Sequence, residues 1–258
     1  MKEFPFLPPN EIKILACFSL KINEVDLILI DRMLDKNEIE NIAKLVNRRK
    51  ENEPIAYIIG EKEFYGLNFK VNKNVLIPRP DTEILVDEVL KFMNNEKFKI
   101  IDFCTGSSAI LTSILYNNKI STGIGIDISK NAIEIAKENY KNICKDFRAD
   151  FVIADVMNFD FDDDYDIFIS NPPYIESENI NHLQNDVKNF EPHLALDGGI
   201  DGVDFYKKFA EIFIKSKKCK IMFLEIGFNQ YDLIKKIFHN SKIISDFGGR
   251  PRVCIVKK

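Results

Sequence analysis

From Lys99 onward, apolar runs of strand length alternate with helix-period patterns, and this alternation restricts the possible folds more than any other feature of the chain. The runs are Ile100 to Phe103, Thr122 to Ile126, Phe151 to Ile153, Asp166 to Ile169 and Ile221 to Glu225, with Arg252 to Val256 as a final strand. The intervening helix after Asp127 shows the pattern well, with Ile133, Ala136, Tyr140 and Ile143 on one face. Strands buried on both faces and joined by crossover helices form a parallel sheet, so this part of the chain is predicted to be an α/β domain.

The first 60 residues read differently. Apolar residues fall at helical spacing in Ile12, Leu15 and Ser19, in Val25, Ile28, Leu29 and Met33, and in Ile39, Ile42 and Val46. Asn10 and Asn23 are candidate N-caps, and the bundle is expected to end near Lys50. Helices this short are marginal alone and should pack together. Glu63 to Leu76 alternates aromatic and polar residues around Gly66, which predicts a hairpin linker. The two prolines of Ile77-Pro78-Arg79-Pro80 disfavour helix up to Asp81, where a helix through Leu85, Val89 and Phe92 can begin. The expected organisation is therefore a helical bundle over residues 1–60, a linker over 61–76 and an α/β domain over 77–258, a division that 258 residues can support.

Composition bounds the function. At 45% apolar and 29% charged the chain should fold around a core. Met1 to Leu20 lacks the basic start and apolar run of an export signal, and stretches such as Leu27 to Ile30 and Ile221 to Leu224 fall far below the roughly 18 residues that cross a bilayer. The five cysteines, Cys17, Cys104, Cys144, Cys219 and Cys254, are odd in number and include no Cys-x-x-Cys pair, which predicts reduced thiols in a cytoplasmic protein. A net charge of -4 supplies no general pull toward nucleic acid. His182, His193 and His239 have no metal spacing and no triad logic, so no metal is expected. The acidic run Asp160 to Asp166 reads as a solvated loop.

The chemistry lies at the predicted strand ends. Ile100 to Phe103 runs into Cys104-Thr105-Gly106-Ser107-Ser108 and then a helical pattern, a small-residue turn where backbone can approach a ligand closely. The next strand ends at Asp127, whose carboxylate can accept hydrogen bonds from both hydroxyls of a ribose. Together they predict an adenosine-containing cofactor. Asp155, in Ala154-Asp155-Val156, is a candidate for the adenine amine or a simple turn cap, and Glu225 reads as a structural acid at the sheet edge.

Asn171-Pro172-Pro173-Tyr174 closes a later strand and belongs by the crevice rule beside the ligand. The Asn171 side-chain oxygen can accept from a substrate NH2, and the prolines restrict the backbone so that the Pro172 carbonyl can serve as a second acceptor. A planar nitrogen is a poor nucleophile because its lone pair is delocalised. Holding both hydrogens on acceptors favours the pyramidal nitrogen needed for attack on a sulfonium methyl. Tyr174 is expected to cover the flat substrate group with its ring.

With these residues in place, the chain resembles the HemK/PrmC release factor glutamine methyltransferases. The likeness runs through Glu53 to Gly60, Glu63-Phe64, Leu76 to Glu83, the cofactor turn, Asp127, Ser170 to Ile175, Glu191-Pro192, Leu196, Gly198-Gly199, Asp201-Gly202 and Glu225-Ile226-Gly227. The Arg79 segment is its specific part, since many methyltransferases share the Asn-Pro-Pro-Tyr signature. The resemblance implies a Rossmann-like, seven-stranded class I S-adenosylmethionine-dependent methyltransferase domain with the last strand antiparallel, preceded by a small helical domain that helps hold a release factor. It implies that Cys104, Thr105, Gly106, Ser107, Ser108, Asp127, Asp155, Val156 and Asn171 contact S-adenosylmethionine. Asn171, Pro172, Pro173, Tyr174 and Arg79 would hold the glutamine of a Gly-Gly-Gln loop, with Asn171 and Pro172 carrying the chemistry, in a protein acting as a monomer.

One departure stands out: where the family usually reads Gly-Thr-Gly-Thr-Gly, Cys104 and Ser108 replace the outer glycines. If either needs positive φ, a side chain costs about 1 kcal/mol. Two other readings remain at this point. A nucleic-acid methyltransferase acting on exocyclic amines would present the same planar NH2 but need a basic channel. A non-catalytic binding protein would have lost cofactor affinity through the altered turn.

Overall fold

In a computed structural model, residues 7–29, 31–159 and 164–258 are described. Parts of three expectations lie outside them: the start of the Met1 to Leu20 segment, Ile30, and Asp160 to Asp163 of the acidic run. Among the described residues no helix is long and apolar enough to cross a membrane.

The chain opens with helices α1 (Pro9–Leu20), α2 (Glu24–Leu29), α3 (Lys36–Lys50) and α4 (Ile55–Ile59). Their core is small: Leu15 and Ala16 of α1, Ile42 and Val46 of α3, and Ile58 of α4. Asn23 does cap α2, its side chain accepting from the Asp26 amide at 2.8 Å. Asn10 caps nothing, because α1 begins one residue earlier at Pro9, whose ring is already set for a first helical turn. The cap of α3 went unread in the sequence: Asp35 and Glu38 form a reciprocal capping box. The second apolar pattern is helical but not buried, with Val25, Ile28, Leu29 and Met33 all exposed.

The hairpin sits slightly earlier than expected, as β1 (Glu61–Phe64) paired with β2 (Leu67–Lys70). Its two turn residues, Tyr65 (φ 54°) and Gly66 (φ 70°), are both left-handed, the conformation that matches the twist of tight hairpins. The hairpin rests on the α/β part, where Asn139 accepts from the Lys70 amide and donates to its carbonyl.

The remaining elements are a 3-10 turn (Pro80–Thr82), α5 (Glu83–Met93), β3 (Lys99–Phe103), α6 (Ala109–Asn117), β4 (Thr122–Asp127), α7 (Lys130–Ile143), β5 (Ala149–Ile153), β6 (Ile167–Ser170), a second 3-10 turn (Ser177–His182), α8 (Asn185–Phe190), a third (His193–Ala195), α9 (Asp204–Lys215), β7 (Ile221–Glu225), α10 (Tyr231–Ile237), β8 (Lys242–Ser245) and β9 (Pro251–Lys257). They build a seven-stranded sheet ordered β5-β4-β3-β6-β7-β9-β8. All neighbours are parallel except β9, which runs antiparallel to β7 and β8. The class I methyltransferase architecture and the antiparallel last strand are thus present.

Period-2 alternation fills both faces of this sheet. Ile100, Ile167, Ile169 and Phe223 point to one core with Leu85, Val89, Leu111 and Ile114, while Ile101, Phe103, Phe168 and Met222 point to the other with Tyr206 and Phe209. Each such side chain contributes about 1.5–3 kcal/mol on burial. β8 was not anticipated, because Lys242–Ser245 is short and half exposed at the sheet edge. Strand order reverses between β3 and β6, and at such a switch point the loops diverge and leave a crevice at the carboxyl ends of the strands.

Candidate active site

A cavity of about 340 Å³ opens at that crevice, of a size suited to a nucleoside-like ligand. Its floor is the turn after β3. Thr105 donates its amide to the Ile126 carbonyl at 3.0 Å and its hydroxyl to Asp102 at 2.6 Å, which anchors the turn to two strands. Asp127, at the end of β4, accepts from the Gly106 amide through one oxygen and from the Ser129 amide through the other, both at 2.9 Å. A carboxylate has about four acceptor sites, so each oxygen retains capacity for a ligand hydroxyl. Burial pushes the Asp127 carboxyl up from its ordinary value.

Three residues of this turn are left-handed: Cys104 (φ 58°), Gly106 (φ 54°) and Ser108 (φ 62°). Both Cys104 and Ser108 thus take the positive φ whose cost the sequence raised as a condition, against the preference of any residue with a Cβ. Around Gly106 there is open space, since a Cβ there would meet no atom within 4 Å. Cys104 lines the cavity, and burial raises its thiol well above the ordinary value. Ser108 does not line it: its side chain is fully buried and shares a hydrogen bond with Thr112 of α6 at 2.9 Å.

Ile128, Val156 and Met157 add apolar wall, as a flat ring would require. Asp155 also faces the cavity, while its oxygens accept from the Met157 amide at 2.9 Å and the Asn158 side chain at 2.7 Å, so the capping role exists alongside any other.

The opposite wall comes from the end of β6. Ser170 ties that end to β3 through a 2.6 Å hydrogen bond to the Phe103 carbonyl, and Asn171 and Pro173 then line the cavity. Pro172 is buried and is not among the lining residues. Nor is Tyr174, in contrast to the role expected of its ring: the side chain packs into the core beside β7, with its hydroxyl 3.4 Å from Glu225 Oε1. Phe205, at the start of α9, supplies the aromatic wall instead. Nothing in the sequence distinguished it from the core positions of that helix.

Arg79 lines the rim and pairs with Glu191, whose side chain is buried and also accepts from the Ile77 amide at 3.2 Å. Burial raises the Glu191 carboxyl and the Arg79 guanidinium opposes that rise. The pair fastens the proline-rich loop to the segment after α8, which brings Pro192, Leu194 and Ala195 into the wall. Asp81, two residues on, pairs with Arg252 of β9 at 2.8 Å, so the 3-10 turn is held from both sides.

Two buried carboxyls underlie the walls. Asp102 lies beneath the cofactor turn and Glu225 beneath the Asn171 edge, and burial pushes each up to about 7. Each keeps one oxygen with no hydrogen bond closed to it, Oδ1 of Asp102 and Oε2 of Glu225. The sequence reading passed over Asp102 and gave Glu225 only a structural role.

Known proteins resemble this chain in both of its parts. Residues 7–60 match the PrmC N-terminal domain and residues 80–203 the methyltransferase small domain. The release factor glutamine methyltransferase of Thermodesulfovibrio yellowstonii is 36% identical over 96% of this chain and 92% of its own length. The enzyme of that name from Clostridium acetobutylicum is 37% identical over 95% of this chain and 90% of its own. Among solved structures, the hMettl16 catalytic domain in complex with a MAT2A 3'UTR hairpin is 13% identical, covers 86% of this chain and 82% of its own, and superposes with a TM-score of 0.60, a likeness of fold. With relatives this similar over nearly the whole chain, the protein belongs to the release factor glutamine methyltransferase family.

Proposed function

We propose that the protein transfers a methyl group from S-adenosylmethionine to the side-chain amide nitrogen of the glutamine in the Gly-Gly-Gln motif of a peptide chain release factor. The observation that carries this reading is that one cavity joins the Asp127 cradle to Asn171. The cradle fits the cofactor: Asp127 has acceptor capacity for two hydroxyls, Gly106 leaves free space, and Ile128, Val156 and Met157 offer an apolar slot. When bound there, the cofactor supplies a methyl group on a positively charged sulfur.

The protein's own task is to present the nitrogen. Asn171 Oδ1 and the Pro172 carbonyl accept its two hydrogens, which pulls the lone pair out of conjugation and aims it along the cavity. No strong base is required, because a nitrogen that has gained a carbon becomes acidic and loses its proton afterwards. Arg79 and Pro173 shape the entrance through which a glutamine reaches the acceptors. Residues 1–60 are read as the release-factor-holding domain, 61–76 as the linker and 77–258 as the catalytic domain. A monomeric protein of the cytoplasm, without a direct nucleic-acid partner, completes the reading.

The test is transfer of labelled methyl to a purified release factor, beside a Gln→Ala change in its Gly-Gly-Gln loop and an Asn171→Ala enzyme. Label lost with either substitution is the expected outcome. Label on RNA or DNA in place of the release factor would overturn it.

A further inference from the structure

Asn139 of α7 is 2% exposed and does not line the cavity, yet its carboxamide joins two regions that bear on it. Its oxygen accepts from the Lys70 amide at 2.8 Å, and its nitrogen donates to the Lys70 carbonyl at 3.0 Å and to the Ser107 carbonyl at 2.9 Å. The first two bonds answer both backbone groups of Lys70, as a neighbouring strand would. The third reaches the cofactor turn. A backbone amide only donates and a carbonyl only accepts, so the orientation of this side chain is fixed and both of its protons are used.

The bond to Ser107 falls on a demanding peptide of the turn. Rotation of the Ser107–Ser108 peptide plane changes the φ of Ser108, which stands at 62°, a value disfavoured by any residue with a Cβ. That plane is held at both ends: its N–H donates to the Thr105 carbonyl at 2.7 Å, and its C=O accepts from Asn139. Glycine would enter this conformation freely, whereas serine has to be held in it. The same carboxamide anchors the hairpin, and the hairpin leads back to the helical domain. There the Val71 amide donates to the Gly60 carbonyl at 3.0 Å, and the Tyr57 hydroxyl of α4 donates to the Val75 carbonyl at 2.6 Å.

We propose that Asn139 is a positioning residue that keeps the Ser107–Ser108 peptide in its left-handed form, and so links S-adenosylmethionine binding to the seating of the linker hairpin. A cofactor that needs the left-handed turn favours the Ser107 bond, and that bond orients the carboxamide that closes on Lys70. By reciprocity a seated hairpin favours the cofactor. The inference rests on the cofactor part of the proposed function and is independent of which nitrogen receives the methyl group.

The experiment compares the wild-type chain with Asn139→Ala, Asn139→Asp and Glu138→Gln. Glu138 pairs with the Lys70 side chain at 2.8 Å, so its change loosens the same hairpin without touching Ser107. Three quantities are read: S-adenosylmethionine affinity by calorimetry, KM for it against kcat, and hydrogen exchange of the Lys70 and Val71 amides with and without it. Both Asn139 variants lose the two donated bonds, and aspartate keeps an acceptor for the Lys70 amide. In both, affinity should fall about 10-fold and KM should rise alike, with kcat at saturation within about threefold, because the competent turn becomes a minor population. A mere loss of folded molecules would lower kcat and leave KM alone. Glu138→Gln should bind the cofactor within about twofold of wild type. In wild-type protein the cofactor should slow exchange of the Lys70 amide more than that of Val71, and in Asn139→Asp the two should respond alike. Asn139 variants with wild-type affinity, or an equal loss in Glu138→Gln, would overturn the inference. So would a wild-type Lys70 amide slowed no more than Val71, a result that needs no substitution. Wild-type protein that binds S-adenosylmethionine but methylates no release factor would instead sink the proposed substrate, while the calorimetric affinities would still decide the role of Asn139.

Discussion

The two walls of the cavity are built on opposite principles. The cofactor turn, Cys104 to Ser108, takes its shape mainly from backbone: three left-handed residues, the Thr105 amide on the Ile126 carbonyl and the Gly106 amide on Asp127. The Asn171 edge takes its shape from side chains and ring constraint: two prolines, the Thr82 hydroxyl 3.4 Å from the Asn171 amide, and the Tyr174 hydroxyl 3.4 Å from Glu225. A backbone-built wall tolerates changes of side chain provided φ is satisfied. A side-chain-built wall fails when a single polar atom is removed. The difference explains how the turn can carry Cys104 and Ser108 where the family usually has glycine, and still converge on Asp127.

The largest expected break in that comparison is Asn171→Ala, which should lower kcat by about 10²–10³-fold, the usual cost of removing one oriented group from a transition state. Cofactor affinity, measured by calorimetry, should change by less than about tenfold, since the other wall is intact. Equal losses in both would mean that the walls are not independent.

The buried carboxyls give the next effect. Asp102 and Glu225 ordinarily titrate at 3.8 and 4.5, and in the folded protein both rise to about 7. The folded state therefore binds protons that the unfolded state has released between those values. Their contribution to stability is present in acid and is lost as pH rises through about 7. At most they account for about 4 kcal/mol for Asp102 and about 3 kcal/mol for Glu225. Denaturant unfolding from pH 5 to 8 should show the decline, and Asp102→Asn and Glu225→Gln should each remove part of it. A flat profile would sink the assignment.

Asp127→Ala tests the backbone-built wall. Loss of two charge-assisted hydrogen bonds should weaken S-adenosylmethionine binding on the order of 100-fold, with kcat at saturating cofactor changed far less. The smallest effect is Cys104→Gly, which relieves the left-handed penalty and should raise stability by about 1 kcal/mol or less. A destabilised Cys104→Gly protein would show that the thiol's packing outweighs its strain.

Much of the molecule could be read from the chain. Short apolar runs set between helical patterns made β3, β4, β5, β6, β7 and β9 visible, because the central strands of a sheet covered on both faces are apolar along their length. Gly106, Asp127 and Asn171 were visible because each lies at or within three residues of the end of such a strand. What escaped notice has a common cause. β8 is a half-exposed edge with little pattern, and α2 has an amphipathic pattern whose apolar face stays exposed. Phe205 follows the same periodicity as its core neighbours, so nothing marks it as cavity wall. Tyr174, expected over the substrate, turns instead toward Glu225, a residue 51 positions away.

The sequence by itself determined the class of fold, the strand ends that bear chemistry and the residue types able to hold an adenosine and a planar nitrogen. Local periodicity and turn chemistry act over a few residues, and a single chain carries them in full. Only the tertiary structure decided which side chains meet: that Glu191 pins Arg79, that the Asn171 amide reaches Thr82, and that the Tyr174 hydroxyl turns to Glu225. Those choices depend on partners up to 112 positions apart, brought together when the sheet reverses its strand order and folds separate loops onto one crevice.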